Sequence, residues 1–204
     1  PRRNLWEEKA NLPTGLSDYA LATFGGSLYL FGGWDGSQAS EITLKYNPEQ
    51  DIWSELTGLP HALTSVIAVQ SENRIVLIGN SKQTTSQISM LNYFPDRDLP
   101  GENPWEEGVG LPTTGSVSCL FELLGEIYAA VDIEEGTQFF IYDVQQNVWS
   151  AIGNNKSLNT KDSRCSVIGG ELFIFGGTNT DGKDSDQLLG YKMIYSISLP
   201  GIVK

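Results

Sequence analysis

The side chains best suited to chemistry are few. His61 is the single histidine of the 204-residue chain, so any reaction that needs an imidazole base has to run through it. It follows Leu59-Pro60 at the opening of a polar connection, and it reads as a loop residue rather than the centre of a serine–histidine–acid triad. Asn179, Asp181, Asp184 and Asp186 crowd one short stretch. Their spacing lacks the closing glutamate of a calcium-binding loop, and they read as a solvated turn. Gly25-Gly26 and Gly169-Gly170 lie between apolar runs with no strand-to-helix context, so they imply no phosphate cradle. Trp34 precedes Asp35-Gly36 and so sits in a turn rather than in a strand that would bury it. Aromatic and arginine side chains in exposed positions are enriched at binding hot spots. Trp34, Asp35, His61 and Arg164 are therefore the candidate binding set. No catalytic residue, metal ligand or cofactor is assigned.

The elements that would position these residues are short. Glycine is abundant at 22 residues and aromatics make up 10% of the chain, a composition that suits many strands joined by tight turns. With 13 lysines and arginines against 25 aspartates and glutamates, the net charge is −12. That balance argues against a nucleic-acid partner, which needs a basic surface. The longest apolar runs, 75–78 and 139–142, are far too short for a membrane-spanning helix. The chain opens at Pro1 with no initiator methionine, which points to a removed leader or a piece of a longer protein. Asn155-Lys156-Ser157 is a glycosylation sequon, informative in a secreted protein.

Self-similarity organises the whole sequence. Trp6, Trp53, Trp105 and Trp149 recur at intervals of 47, 52 and 44 residues. A Leu-Pro pair follows the first three: Leu12-Pro13, Leu59-Pro60 and Leu111-Pro112. Next come two apolar runs around a turn: 20–24 and 28–31, 66–69 and 75–78, 117–124 and 127–131, and 165–168 and 172–175. Such runs bounded by Gly, Asn and Ser read as β-hairpins. A third strand ends in Tyr46, Tyr93, Tyr142 and Tyr195, and the tryptophan marks a fourth. Residues 98–102 read as a loop insertion in the second repeat. A four-stranded sheet repeated at this period is a propeller blade, because one sheet alone cannot bury both its faces.

Leu28-Tyr29-Leu30-Phe31-Gly32-Gly33, then Tyr46-Asn47-Pro48, then Asp51-Ile52-Trp53, resembles the kelch signature of a double glycine, a tyrosine and a spaced tryptophan. Leu172-Phe173-Ile174-Phe175-Gly176-Gly177 repeats its first part, whereas the middle repeats read Gly79-Asn80 and Val131-Asp132. The resemblance implies an all-β propeller of four-stranded antiparallel blades, standing alone or as part of a larger propeller. Kelch relatives with a copper radical site use two histidines, and iron-dependent relatives space Glu, Asp and His by four. With His61 alone, and Thr57 and Trp53 before it at that spacing, neither site is implied. The family implies a non-catalytic protein-binding or scaffolding module whose blade strands run a to d from the channel outward and which presents the d–a and b–c loops on one face, where an arginine such as Arg164 points along the channel mouth. The alternative is a carbohydrate-binding or sugar-handling enzyme domain with its site at that mouth. The implied partner is another protein or a carbohydrate, with association to further blades or another chain also open. Family habit leans the location slightly toward the extracellular side.

A single domain over 1–204 is expected, with blades near 16–58, 61–110, 113–154 and 161–199 and an N-terminal strand at 6–11. That strand is a fourth strand without its blade, and the last blade lacks one. Closure of a four-bladed ring would pair 6–11 with 188–199; a piece of a larger propeller, the preferred reading, would leave it frayed or paired elsewhere. Cys119 and Cys165 are expected as free, buried thiols on inner strands that splay around a channel. Almost no α-helix is expected.

Overall fold

The computed structural model describes residues 6–81, 88–134, 136–152, 160–179 and 181–192. The first blade is β1 (Ala20–Phe24), β2 (Ser27–Phe31), β3 (Thr43–Asn47) and β4 (Ile52–Glu55). The second is β5 (Leu63–Ser71), β6 (Arg74–Ser81), β7 (Ile88–Tyr93) and β8 (Trp105–Leu111). The third is β9 (Ser116–Leu123), β10 (Glu126–Ile133), β11 (Gly136–Asp143) and β12 (Val148–Ile152). The fourth comprises β13 (Thr160–Lys161), β14 (Arg164–Ile168), β15 (Glu171–Phe175), β16 (Thr178–Asn179) and β17 (Leu188–Lys192). Within each sheet sequential neighbours pair antiparallel, and β13 with β16 prolongs the β14–β15 hairpin past a kink. Among the described residues the helical structure is one 3₁₀ turn, Pro95–Arg97, and no helix is long and apolar enough to cross a membrane.

Packing between blades follows from the alternation of apolar residues along each strand. Both faces of an interior blade are covered, so Ile75, Leu77, Val76 and Ile78 of β6 are all buried. Ile75 and Leu77 face the first blade, where Phe31 meets Tyr93 at 5.4 Å and Trp105 at 5.9 Å, edge to face. Val76 and Ile78 face Ile127, Ala129 and Val131 of the third blade. Phe121, Tyr128, Leu172 and Ile174 close the third against the fourth. Each fully buried side chain of this size contributes about 1.5–3 kcal/mol.

A repeated polar clasp fixes how one blade meets the next. Tyr46, Tyr93 and Tyr142 lie opposite Trp53, Trp105 and Trp149, with ring centroids 5.0, 4.7 and 5.0 Å apart. The three tyrosine hydroxyls donate to Asp51, Asp98 and Asn147, each five residues further on, at 2.6, 2.6 and 2.5 Å. The three indole N–H groups donate to the carbonyls of Ala10, Thr57 and Val109, at 3.0, 3.1 and 2.9 Å. Each of those acceptors stands four residues after the tryptophan of the preceding repeat. Asp51 also accepts the Ala10 N–H at 2.8 Å, and Asp98 accepts the Thr57 N–H and hydroxyl at 3.1 and 2.6 Å. One residue of the preceding repeat is thus held at both its backbone groups.

Three expectations are corrected. Residues 6–11 form no strand and do not pair with β17; Ala10 is held by Asp51 and Trp53 against the first blade, and Trp6 is fully exposed. The tyrosine of the fourth blade is Tyr191, not Tyr195: Tyr191 faces Leu172 as Tyr46 faces Leu28. Tyr195 and the rest of 193–199 lie outside the described residues, as does the sequon at 155–157. Cys119 and Cys165 are joined as a disulfide, with Cα atoms 5.8 Å apart. Inner strands are where neighbouring blades come nearest the axis, so β9 and β14 approach each other rather than splay. Cross-linking residues 46 apart stabilises the fold by about 4 kcal/mol through chain entropy.

The clasp carries a pH signature. Donation by the Ala10 N–H, then by the Tyr46 hydroxyl, holds the Asp51 carboxyl below its ordinary 3.8. The bond to Asp51 pushes Tyr46 up to about 12. The Asp51 contribution is therefore complete above the ordinary carboxylate range and is lost as pH falls through the lower folded value. The Tyr46 contribution is complete below pH 10.0 and is lost as pH rises toward about 12. Asp51→Asn should melt below the unsubstituted protein at neutral pH, and the gap should narrow below about pH 4. A gap that is constant from neutral pH to about pH 2 would remove Asp51 from the clasp.

Candidate binding site at the channel mouth

Three of the four inner strands carry a kink at or near their start, at the same end of the channel. Asp18, Ser65 and Asp162 hold φ of 52°, 50° and 56° there. Aspartate tolerates this left-handed region better than most residues because its short side chain bonds locally. The kink brings the inner backbone close to the second strand, which explains the double glycines. A Cβ on Gly33 would stand 2.6 Å from the Ser17 carbonyl oxygen, and one on Gly177 would collide with the Lys161 carbonyl. In the third blade the glycine has changed strands. Asp132 occupies the second-strand position, and Gly115 faces it from the inner strand, where a Cβ would run into the Asp132 carbonyl.

That exchange places a carboxylate at the mouth. Asp132 is buried and accepts the Thr137 hydroxyl at 2.6 Å, the Ser118 hydroxyl at 3.2 Å and the Asp162 N–H at 2.7 Å. It therefore couples the third blade to the kink of the fourth. The mouth is a cavity of about 550 Å³ to which all four blades contribute. Asp18, Ser65, Asp162 and Arg164 supply its exposed polar wall, with the disulfide below them. The opposite end of the channel is a second cavity of about 490 Å³, with Leu21, Leu28, Leu120 and Phe121 among its walls.

Of the four candidates, Arg164 alone lines the mouth. Its guanidinium is exposed and donates to the Ser163 carbonyl at 3.2 Å; among the described residues it forms no ion pair, with Asp162 or any other acid. Trp34 bridges to Ser17 and Ala39 at the start of the b–c loop, with 38% of its surface exposed. Asp35 closes the turn beside it. The N–H groups of Gln38 and Ser37 and the Ser37 hydroxyl all donate to it at 2.8 Å and hold its carboxyl below the usual range. His61 is buried in the connection from β4 to β5. Its Nδ1 lies 4.0 Å from Glu107 Oε1, and its Nε2 has no hydrogen-bond partner among the described residues. Asp181 pairs with Lys183 at 3.4 Å rather than gathering with the neighbouring acids. Asp132 was missed from the sequence because it reads there only as a departure from the double glycine.

A family model described as the Kelch motif matches residues 15–60, the span that runs from the first kink through β4. Kelch-like protein 35 of Mus musculus is 21% identical over 188 residues, covering 92% of this chain and 32% of its own. Kelch repeat protein M-T8 of Myxoma virus (strain Lausanne) is 27% identical over 184 residues, covering 88% and 35%. The repeat geometry and these matches agree. The first repeat is a Kelch motif, and the chain resembles kelch-repeat proteins along most of its length.

It spans about a third of the length of the curated kelch relatives it matches first. N-acetylneuraminate epimerase of Haemophilus influenzae (strain 86-028NP) is also similar, at 23% identity over 180 residues, 84% of this chain and 44% of that protein. Among solved structures, one titled "Structure of YjhT" superposes with a TM-score of 0.71 at 12% identity, covering 94% of this chain and 69% of that one. That likeness supports the propeller fold. Within the kelch frame the d–a and b–c connections open at the mouth lined by Arg164, and Asp132 stands where the first and fourth repeats carry Gly33 and Gly177. Asp132→Ala should destabilise the protein by about 1–3 kcal/mol in urea unfolding, because it takes the acceptor away from the Asp162 N–H and from the Thr137 and Ser118 hydroxyls. Asp132→Asn, which keeps an acceptor, should cost less than half as much. Equal losses would mean that the carboxylate acts by charge rather than by accepting these bonds.

Proposed function

We propose that this chain is a non-catalytic protein-binding module whose recognition surface is the channel mouth together with the b–c loop of the first blade. The observation that carries this reading is Arg164, which stands exposed on an inner strand at the mouth and donates one hydrogen bond, to the Ser163 carbonyl. An arginine so placed can fork onto a carboxylate or a backbone carbonyl of a docked segment. Trp34, half-exposed on a loop tied down by the Ser17 bridge and the Asp35 turn, offers a pre-organised aromatic contact.

The carbohydrate reading needs Trp34, Asp35, His61 and Arg164 to converge on one pocket, and their separate settings favour an extended protein contact instead. Asp18 and Asp162 flank Arg164, so a partner surface that mixes basic and acidic groups suits the mouth.

The test is capture of partners from the native source with the full-length protein, followed by affinity measurements on the retained protein. Arg164→Ala and Trp34→Ala should each weaken binding about tenfold or more with an unchanged melting temperature. Lowered stability with unchanged affinity would assign both residues to the scaffold.

A further inference from the structure

The inner strands of the four blades can be matched residue by residue through the tyrosine pairs. Leu30, Leu77, Ala129 and Ile174 each stand two residues after the partner of Tyr46, Tyr93, Tyr142 and Tyr191. Opposite them on the inner strands lie Leu21, Ala68, Leu120 and Cys165. One step nearer the mouth, the first three inner strands carry Ala20, Ile67 and Cys119. Ala20 and Ala68 therefore share the apolar cluster between the first two blades, and Ile67 and Leu120 share that between the second and third. Two seams hold this position with apolar side chains alone. The third, between blades three and four, closes it with the Cys119–Cys165 bond. The repeat geometry thus does not require a covalent tie there.

The bond is also open to solvent. Both cysteines line the mouth cavity of about 550 Å³, Cys119 buried and Cys165 half-buried next to the exposed Arg164. Disulfides that solvent can reach are the labile ones, because a thiolate has to approach one of the sulfurs. Arg164 stands between two ties to the third blade: the Asp162 N–H bond to Asp132 on one side and Cys165 on the other.

We propose that the Cys119–Cys165 bond is a redox switch at the mouth, which sets whether the strand carrying Arg164 is tied to the third blade or released from it. Its consequence for binding rests on the reading of the mouth as the recognition surface. The reductant is a dithiol. Its thiolate attacks Cys165 Sγ from the cavity, a mixed disulfide forms as the Sγ–Sγ bond breaks, and Cys119 leaves as a thiolate that takes up a proton. The second thiol of the reductant then attacks its own sulfur in the mixed disulfide. That step closes the reductant's disulfide and releases Cys165, which is protonated in turn. Two electrons and two protons pass to the protein, and the dithiol is oxidised. The reduced protein keeps its fold, because the Asp132 bond to the Asp162 N–H and the packing of Leu172 and Ile174 against Phe121 and Tyr128 still join the blades. Beyond Asp162, β14 has lost its covalent tie to β9, and Arg164 moves with it.

The test uses the full 204-residue chain, isolated without reductant, with dithiothreitol as the dithiol. Alkylation by iodoacetamide and mass spectrometry count the sulfhydryls, and amide hydrogen exchange follows β14 and β6 in the same samples. No free sulfhydryl should be found at first, and two should appear in dithiothreitol with the chain still folded. The β14 amides should then exchange at least about tenfold faster while β6 stays protected, and reoxidation should restore the slow rate. Cys165→Ser should show the faster β14 exchange without reductant and no further response to it. The proposal fails if the bond resists dithiothreitol until the chain is unfolded, since it would then be a structural staple. It also fails if two sulfhydryls are present from the start, or if β14 exchanges equally fast with and without the bond. None of these readouts needs a partner, so failure of the switch and failure of the protein-binding reading are separate results.

Discussion

A single backbone residue, four places after each tryptophan, is gripped by the next blade, and the rest of the architecture hangs on that grip. Ala10 and Thr57 each give their N–H to an aspartate and their carbonyl to an indole, and Val109 gives its carbonyl to Trp149. These bonds fix the outer edges of adjacent blades while the apolar faces fix their separation. Apolar packing is non-directional and would tolerate sliding of one sheet over another. Directed bonds at the rim remove that freedom. They also explain how the second repeat absorbs five extra residues: Asp98 keeps its distance from Tyr93, and the added chain falls between Asp98 and Trp105. That loop is folded back by the Phe94 to Pro104 backbone bond, by Arg97 over the Phe94 ring and by the Arg97–Glu106 ion pair.

The inner edge is held by different means. Close backbone approach at each kink demands a residue without a side chain, supplied by the second strand in the first and fourth blades and by Gly115 in the third. Once the glycine moved, Asp132 could stand at the mouth and reach the Asp162 N–H of the next blade. The disulfide from Cys119 to Cys165 joins the same two blades one layer deeper. The last blade, whose β17 is exposed throughout, is thus anchored mainly from within. A mouth framed in this way sets Arg164 on a strand tied to the third blade.

The repeat was legible because its markers are large and regularly spaced: the four tryptophans, the double glycines and the tyrosine seven residues before Trp53 and Trp149 all fall where expected. Tyr191 was not, since the strand carrying it has weak apolar alternation and Tyr195 lay at a comparable distance along the chain. Its position emerged only from the pairing with Leu172. The disulfide was misjudged because spacing along the sequence says nothing about which inner strands are neighbours at the axis. At the candidate site, Arg164 was legible as a charge opening an apolar strand. Asp132 was not, because its importance depends on Gly115, seventeen residues earlier in sequence and opposite it in space. His61, the most conspicuous residue in the sequence, is a buried member of the connection between the first two blades.

The clasp is tested most directly by amide hydrogen exchange at Thr57, a residue whose surface is exposed and which belongs to no strand. If Asp98 and Trp105 grip its backbone, the Thr57 amide exchanges as slowly as amides of β6, and Asp98→Ala speeds it toward the rate of an open loop while β6 stays protected. Exchange at Thr57 as fast as at the solvent-facing turn around Gly36, with no change on substitution of Asp98, would contradict the account.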